Sequence, residues 1–316
     1  MWRALPLLLG LALAACGPQG GREALTDSRI PPGLAPRFMP PAGWAWGVLD
    51  SSGQPQIRYG VSGPDSRRPA AHVVIVPAAF EPAESWFETA SDLNAAGYAV
   101  WTIERPGLGG SGRYVRPHDM AHSQGPGAEG AAIAAVIAAA IRPGDDLPIV
   151  ILAAGDADEA ALSAIAEGAP AAGLILSAPP APPGRSDRVV GLARRLGLGA
   201  LPAGDWRPWS RQTQLVAGGD PWRAATVGAW SLANPDLRLG GGSLAWRSRE
   251  APSGRTAPPV ATLVLGAEGR ACAGCTAQAV PGASEAPQLD RDEVRNPWRA
   301  AILAFVAARA ESVTAP

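Results

Sequence analysis

The stretch Ile149-Val-Ile-Leu-Ala-Ala-Gly-Asp-Ala-Asp-Glu-Ala-Ala-Leu162 decides the architecture. Its first four residues are apolar without a break, the pattern of a strand buried on both faces. Ala153, Ala154 and Gly155 are small enough for a tight turn. The acids Asp156, Asp158 and Glu159 then open a helix-like run that lasts to Glu167. A strand that turns at once into a helix is half of a parallel βα unit.

The same rhythm extends in both directions. Strands are expected over residues 44–49, 56–61, 71–77, 98–103, 147–153, 172–177, 260–265 and 277–280. Helices are expected over 84–96, 128–141, 156–167 and 297–310. The first two strands form a hairpin through Ser51, Ser52 and Gly53. A Gly-rich loop, Arg105-Pro-Gly-Leu-Gly-Gly-Ser-Gly-Arg113, follows the fourth. The fold class implied is α/β: a mostly parallel sheet with helices on both faces and an antiparallel pair at one edge. Between about 181 and 257 the alternation stops. That segment holds five of the eleven Trp (Trp206, Trp209, Trp222, Trp230, Trp246) and reads as a helical cap insertion.

Across the 316 residues the net charge is −1, which excludes an electrostatic footprint for nucleic acid. The amino terminus is more specific. Arg3 precedes a short apolar run, residues 4–14, which suits a signal peptide and is too short to span a bilayer. Leu13-Ala14-Ala15-Cys16 resembles the bacterial lipobox, whose cysteine is lipidated and becomes the first mature residue. An ordinary secretory signal that happens to contain a cysteine is the plainer alternative. The expected organisation is a signal peptide at 1–15, a flexible tether at 16–40 and one domain at 41–312. Cys16 would then hold the protein to a membrane outside the cytoplasm. Gly17, where an Asp is absent, favours the outer membrane in a cell with two. Cys272 and Cys275, spaced C-x-x-C in a loop, read as a structural disulfide or two free thiols in such an oxidising compartment.

The segments Trp86-Phe-Glu88, Gly97-Tyr-Ala-Val-Trp101, Glu104-Arg-Pro-Gly-Leu-Gly-Gly-Ser-Gly-Arg113, Asn234-Pro-Asp-Leu-Arg-Leu-Gly240 and Asp292-Glu-Val-Arg295 occur in a telling order. Together they resemble the lysophospholipase and monoacylglycerol-lipase-like branch of the α/β-hydrolase superfamily, from about Trp44 to Ala308. The resemblance implies a sheet topped by a capped pocket. It also implies a serine at the turn after the fifth long strand, within G-x-S-x-G, then an acid, then a His. In register these positions fall on Gly155, Gly269 and Glu285, with Glu268 beside the second. The only histidines are His72, His118 and His122, so no His follows the turn, whatever the alignment. A triad in the order Ser, acid, His is therefore ruled out.

Other chemistry at the turn is weaker. Asp156 as a nucleophile would lack its downstream His, and Asp158 stands where close packing wants a small residue. The acids more simply complement the start of a helix. Asp156, Glu268 and Glu285 converging on a hard cation is a further option, with Arg270 as the rival that would neutralise them. No cofactor or metal is called for. Ala78, Ala79, Phe80, Asp156 and His122 are the pocket candidates. Ser111 and Ser177 read as turn and strand-end residues, and a structural or surface role is expected for His118 and His122. The implied function is a lipid-anchored pseudo-hydrolase binding a hydrophobic, acyl or lysolipid-like ligand, or an envelope protein. The alternatives are a weak esterase with displaced residues and a structural envelope lipoprotein.

Overall fold

In a computed structural model, the described residues are 21–314 apart from 52, 66–67, 143, 145–146, 181–194, 205, 211–218, 248–256 and 269–271. Cys16, Gly269 and Arg270 lie outside them, and so do parts of the insertion. The strands are β1 Ala45–Leu49, β2 Ile57–Ser62, β3 His72–Val76, β4 Ala99–Ile103, β5 Met120–Ala121, β6 Ile149–Ala154, β7 Gly173–Ser177, β8 Gly241–Gly242, β9 Thr262–Gly266 and β10 Cys275–Ala279. The α-helices are α1 Phe87–Ala95, α2 Pro126–Val136, α3 Asp158–Ala166, α4 Pro221–Ala233, α5 Leu244–Arg247 and α6 Asp292–Thr314.

Eight strands form one sheet in the order β1-β2-β4-β3-β6-β7-β9-β10. The β1–β2 and β2–β4 pairs are antiparallel and the rest parallel, as the alternation predicts. Period-two burial explains why the central strands are apolar throughout. Val74, Val76 and Ile151 face one core with α2 and α3, while Val73, Ile75, Val150 and Leu152 face the other with Trp86, Trp298 and Ile302. Helices covering both faces leave no room for polar alternation.

The helices α2 and α3 pack through Gly130, where an added Cβ would lie 2.6 Å from Ser163 Cβ and 2.7 Å from Ala164 N. Because one of those atoms is backbone, Gly130→Ala is expected to destabilise by about 1–3 kcal/mol. Equilibrium urea unfolding checks this; an unchanged midpoint would mean the helices do not approach that closely.

Three expectations change. The last helix begins at Asp292, five residues before Pro297, because tertiary pairing holds its first turn: buried Arg295 donates to Asp92 at 2.8 Å and to the Gln288 carbonyl at 3.2 Å. The insertion is not purely helical, since β8 pairs in parallel with β5. Finally, residues 21–38, read as part of a flexible tether, lie against the body as a strap. Arg22 and Arg113 exchange backbone hydrogen bonds (3.2 and 2.8 Å), Leu25 N–H donates to the Gly110 carbonyl (2.8 Å), and Arg29 N–H donates to Asn234 Oδ1 (2.7 Å). Leu25 and Leu34 pack against Phe87, Trp230 and Leu237. A Gly- and Pro-rich stretch remains ordered here because backbone carbonyls and side chains of the body satisfy its backbone donors.

Candidate functional site

Parallel strands bring β6 to a sharp turn at the carboxyl edge of the sheet, the edge where such sheets hold ligands. Ala154 is extended, Gly155 has φ +49°, and a single 3-10 turn, Gly155–Ala157, leads into α3. This is the strand–turn–helix build of a nucleophile elbow. The residue at its tip has no side chain, and a Cβ there would meet Ala78 Cβ at 3.1 Å. Glycine supplies the left-handed backbone at low cost.

Next to that tip, the Asp156 carboxylate is held from two sides. Its Oδ1 accepts the backbone N–H of Ala79 at 2.9 Å and is paired with Arg105 Nη2 at 3.1 Å. Arg105 is fully buried. Its Nη1 donates to Glu129 Oε2 at 2.9 Å and to the Asp156 carbonyl at 3.2 Å. Glu129 in turn accepts from Ser123 Oγ. Burial works against the Arg105 charge, but Asp156 and Glu129 outweigh it and hold its pKa above the usual arginine value. Trp246, from the insertion, covers this pair: its ring lies 5.9 Å from the Arg105 guanidinium carbon and 6.2 Å from the Phe80 ring.

A second acid stands close by. Glu81 is buried and accepts from Trp86 Nε1 at 3.2 Å. Burial raises its pKa to about 7, the neighbouring Gln288 and Trp86 work to lower it, and the charge of Asp156 adds to the rise.

The other expected positions behave differently. Glu285 is solvent-exposed in the loop after β10, and Glu268 is exposed in the turn after β9. That loop instead turns Gln288 inward. Among the described residues no group of three acids, His or Cys could hold a metal ion. The cation option therefore receives no support from Glu268 and Glu285. The cation paired with Asp156 is Arg105, while Arg270, the rival that could have neutralised the acids, lies outside the described residues. Cys272 and Cys275 are joined by a disulfide, with Cα atoms 5.3 Å apart.

A Ser–His pair does exist away from the elbow. His122 Nδ1 lies 3.0 Å from Ser243 Oγ and its ring packs on Tyr114. Ser243 is fully buried and its Oγ accepts the Trp246 N–H at 3.1 Å, capping α5. That hydroxyl therefore caps a short helix in the buried interior and is not on the strand-to-helix turn. Ser111 Oγ donates to the Glu104 carbonyl, and Ser177 Oγ accepts Trp298 Nε1, so both are turn and strand-end residues. His122 also lines an open trough of about 960 Å3 with Arg22, Arg113, Tyr114 and Gly199. Of the pocket candidates, Asp156 belongs to the elbow and Ala78, Ala79 and Phe80 to the loop after β3 beside it, and none of these four lines the trough.

The sequence reading missed Arg105, Glu129, Glu81 and Gln288. Arg105 was visible as the first residue of the Gly-rich loop, but its partners lie 24 and 51 residues onward and only the fold joins them.

No protein-family model matches the chain, and no curated protein matches it in sequence. Solved structures do. A thermostable carboxyl esterase from Bacillus coagulans has a TM-score of 0.66 at 15% identity, covering 84% of this chain and 99% of the esterase. Monoglyceride lipase from Saccharomyces cerevisiae, solved with a substrate analogue, has 0.62 at 12% identity, covering 90% and 97%. A Bacillus subtilis carboxylesterase has 0.55 at 11% identity, covering 85% and 93%. The chain has the α/β-hydrolase fold.

Proposed function

We propose that this protein is a lipid-anchored pseudo-hydrolase of the cell envelope, which binds a hydrophobic ligand or a protein partner without turning it over. The observation that carries the reading is the Asp156 carboxylate on the Ala79 N–H. In a serine hydrolase of this fold the oxyanion is held by the N–H of the residue after the nucleophile and by an N–H from the loop after the third strand. Here these are the N–H groups of Asp156 and Ala79. The second already binds an anion, and that anion belongs to the protein.

Oxyanion donors are usually the largest single catalytic contribution, because they stabilise charge that appears only in the transition state. An oxyanion formed here would compete with Asp156 for its donor and be repelled by it. With Gly155 at the tip and no His beyond residue 122, nucleophile and base are missing as well. The esterase and lipase neighbours favour an acyl or lysolipid-like ligand class. An active-esterase reading would need the fully buried Ser243 to become accessible to substrate, and nothing favours that. Cys16 as the lipidated residue places the domain at a membrane surface.

The test is direct. The protein is expected not to label with a serine-directed fluorophosphonate and to cleave short acyl esters at the background rate. Gly155→Ser is expected to remain inert, because it restores neither the donor nor the base. A stoichiometric adduct on the unmodified protein, located by mass spectrometry, would overturn the reading and name the true nucleophile.

A further inference from the structure

Apolar side chains scattered singly on a surface need no explanation, but clusters do. Three of the seven exposed large apolar residues among those described fall within six positions: Leu196 (67% exposed), Leu198 (38%) and Leu201 (49%). Arg195, also exposed, precedes them. The segment is pinned by backbone bonds, Ala245 N–H to the Gly199 carbonyl (2.9 Å) and Leu244 N–H to the Leu201 carbonyl (2.8 Å). Gly197, Gly199 and Ala200, interleaved with the leucines, form one wall of the 960 Å3 trough. Gly21, Arg22 and Glu23 line the same trough.

That second wall connects the trough to the anchor. Gly21 is fixed to the body through the Arg22–Arg113 backbone bonds, and it stands five positions after Cys16. Five residues reach at most about 17 Å. A domain of this length is roughly 50 Å across. A lipid on Cys16 therefore cannot be joined to just any face of the protein; only the face around Gly21 comes within reach of the membrane surface.

We propose that the trough and the Leu196–Leu198–Leu201 ridge beside it form the face that lies on the phospholipid bilayer, with the leucines entering the headgroup region and the trough opening onto it. This rests on the lipid-anchored reading above. Three observations agree on the same face: the short reach from Cys16, the clustered exposed leucines, and the exposed positive charge of Arg195 next to them, which suits lipid phosphates. The strap restricts the orientation, where a free tether would allow any.

The experiment uses the full lipidated chain in vesicles of phosphatidylethanolamine and phosphatidylglycerol. Leu198→Cys carries an environment-sensitive fluorophore, since Cys272 and Cys275 are bonded to each other and Cys16 is taken by lipid. Leu201→Cys is a second reporter. Asp65→Cys is the control, at the opposite edge of the sheet, where the end of β2 pairs with the start of β4. Lipid-borne quencher is expected to reduce emission about twofold at 198 and 201, a depth typical of interfacial segments, and to leave 65 unchanged. No quenching at 198 and 201, or equal quenching at all three, would overturn the assigned face. Mass spectrometry of the amino-terminal peptide separates the two layers. A Cys16 without lipid removes the anchored reading and this proposal with it. A lipidated Cys16 with unquenched leucines removes only this proposal.

Discussion

Arg105→Met is expected to cost about 3–5 kcal/mol of folding stability, the largest loss from any single substitution considered for the elbow. The guanidinium is fully buried and bridges two carboxylates, Glu129 at 2.9 Å and Asp156 at 3.1 Å. Glu129 is itself buried, whereas the Asp156 side chain keeps 23% of its exposure. Methionine fills much of the volume, so packing is not the main loss. What remains is a buried carboxylate without its cation, which is the costly way to break such a group. Asp156 can relax toward water and so contributes less of the total. Arg105→Lys keeps the charge but not the planar fork that serves both acids, and an intermediate loss is expected. Equilibrium denaturation of the three proteins checks the order. If the methionine variant unfolds at the wild-type midpoint, the Glu129–Arg105–Asp156 arrangement is not what holds the carboxylate on the Ala79 N–H.

How much of this was legible beforehand follows from the range of the interactions. The central strands were readable because both faces are buried, so their apolar runs are unbroken, and the observed β6 and β7 differ from expectation by a residue or two at their ends. The empty tip was also readable, since it depends on one residue, Gly155, and the missing base depends only on a count of histidines. The Asp156 carboxylate on the Ala79 N–H was not. Asp156 looks like any acid in the first turn of a helix, and the N–H it accepts belongs to Ala79, 77 residues earlier. The strap failed for a related reason. Its composition resembles a linker, and its order comes from Gln56, Glu84 and Asn234 on distant elements. The Trp-rich insertion divides: Trp230 is core against Phe87, Trp246 covers Arg105, and Trp222 is 74% exposed. Aromatic content alone could not assign those roles.

Stability is expected to fall as pH rises from about 4.5 to about 7, and Glu81→Gln to remove much of that slope. Burial lifts the Glu81 pKa from an ordinary 4.5 to about 7. Between those values the folded protein holds a proton that the unfolded chain has released, so folding takes up a proton and rising pH opposes it. Below 4.5 both states are protonated and the penalty is absent. Above about 7 both are ionised and it is complete, on the order of 3 kcal/mol for a shift of this size. Glu104, also raised by burial, acts with the same sign; the depressed pKa of Asp292, paired with Arg223, acts oppositely but belongs to an exposed carboxylate and adds little. Guanidinium unfolding at about pH 5 and about pH 8, on wild type and Glu81→Gln, measures the difference. Parallel stability changes in the two proteins would mean that Glu81 ionises as freely folded as unfolded. The same titration bears on the elbow. Above pH 7 Glu81 becomes a second negative charge near Asp156, so the site turns more hostile to an oxyanion in the very range where serine hydrolases need their base unprotonated.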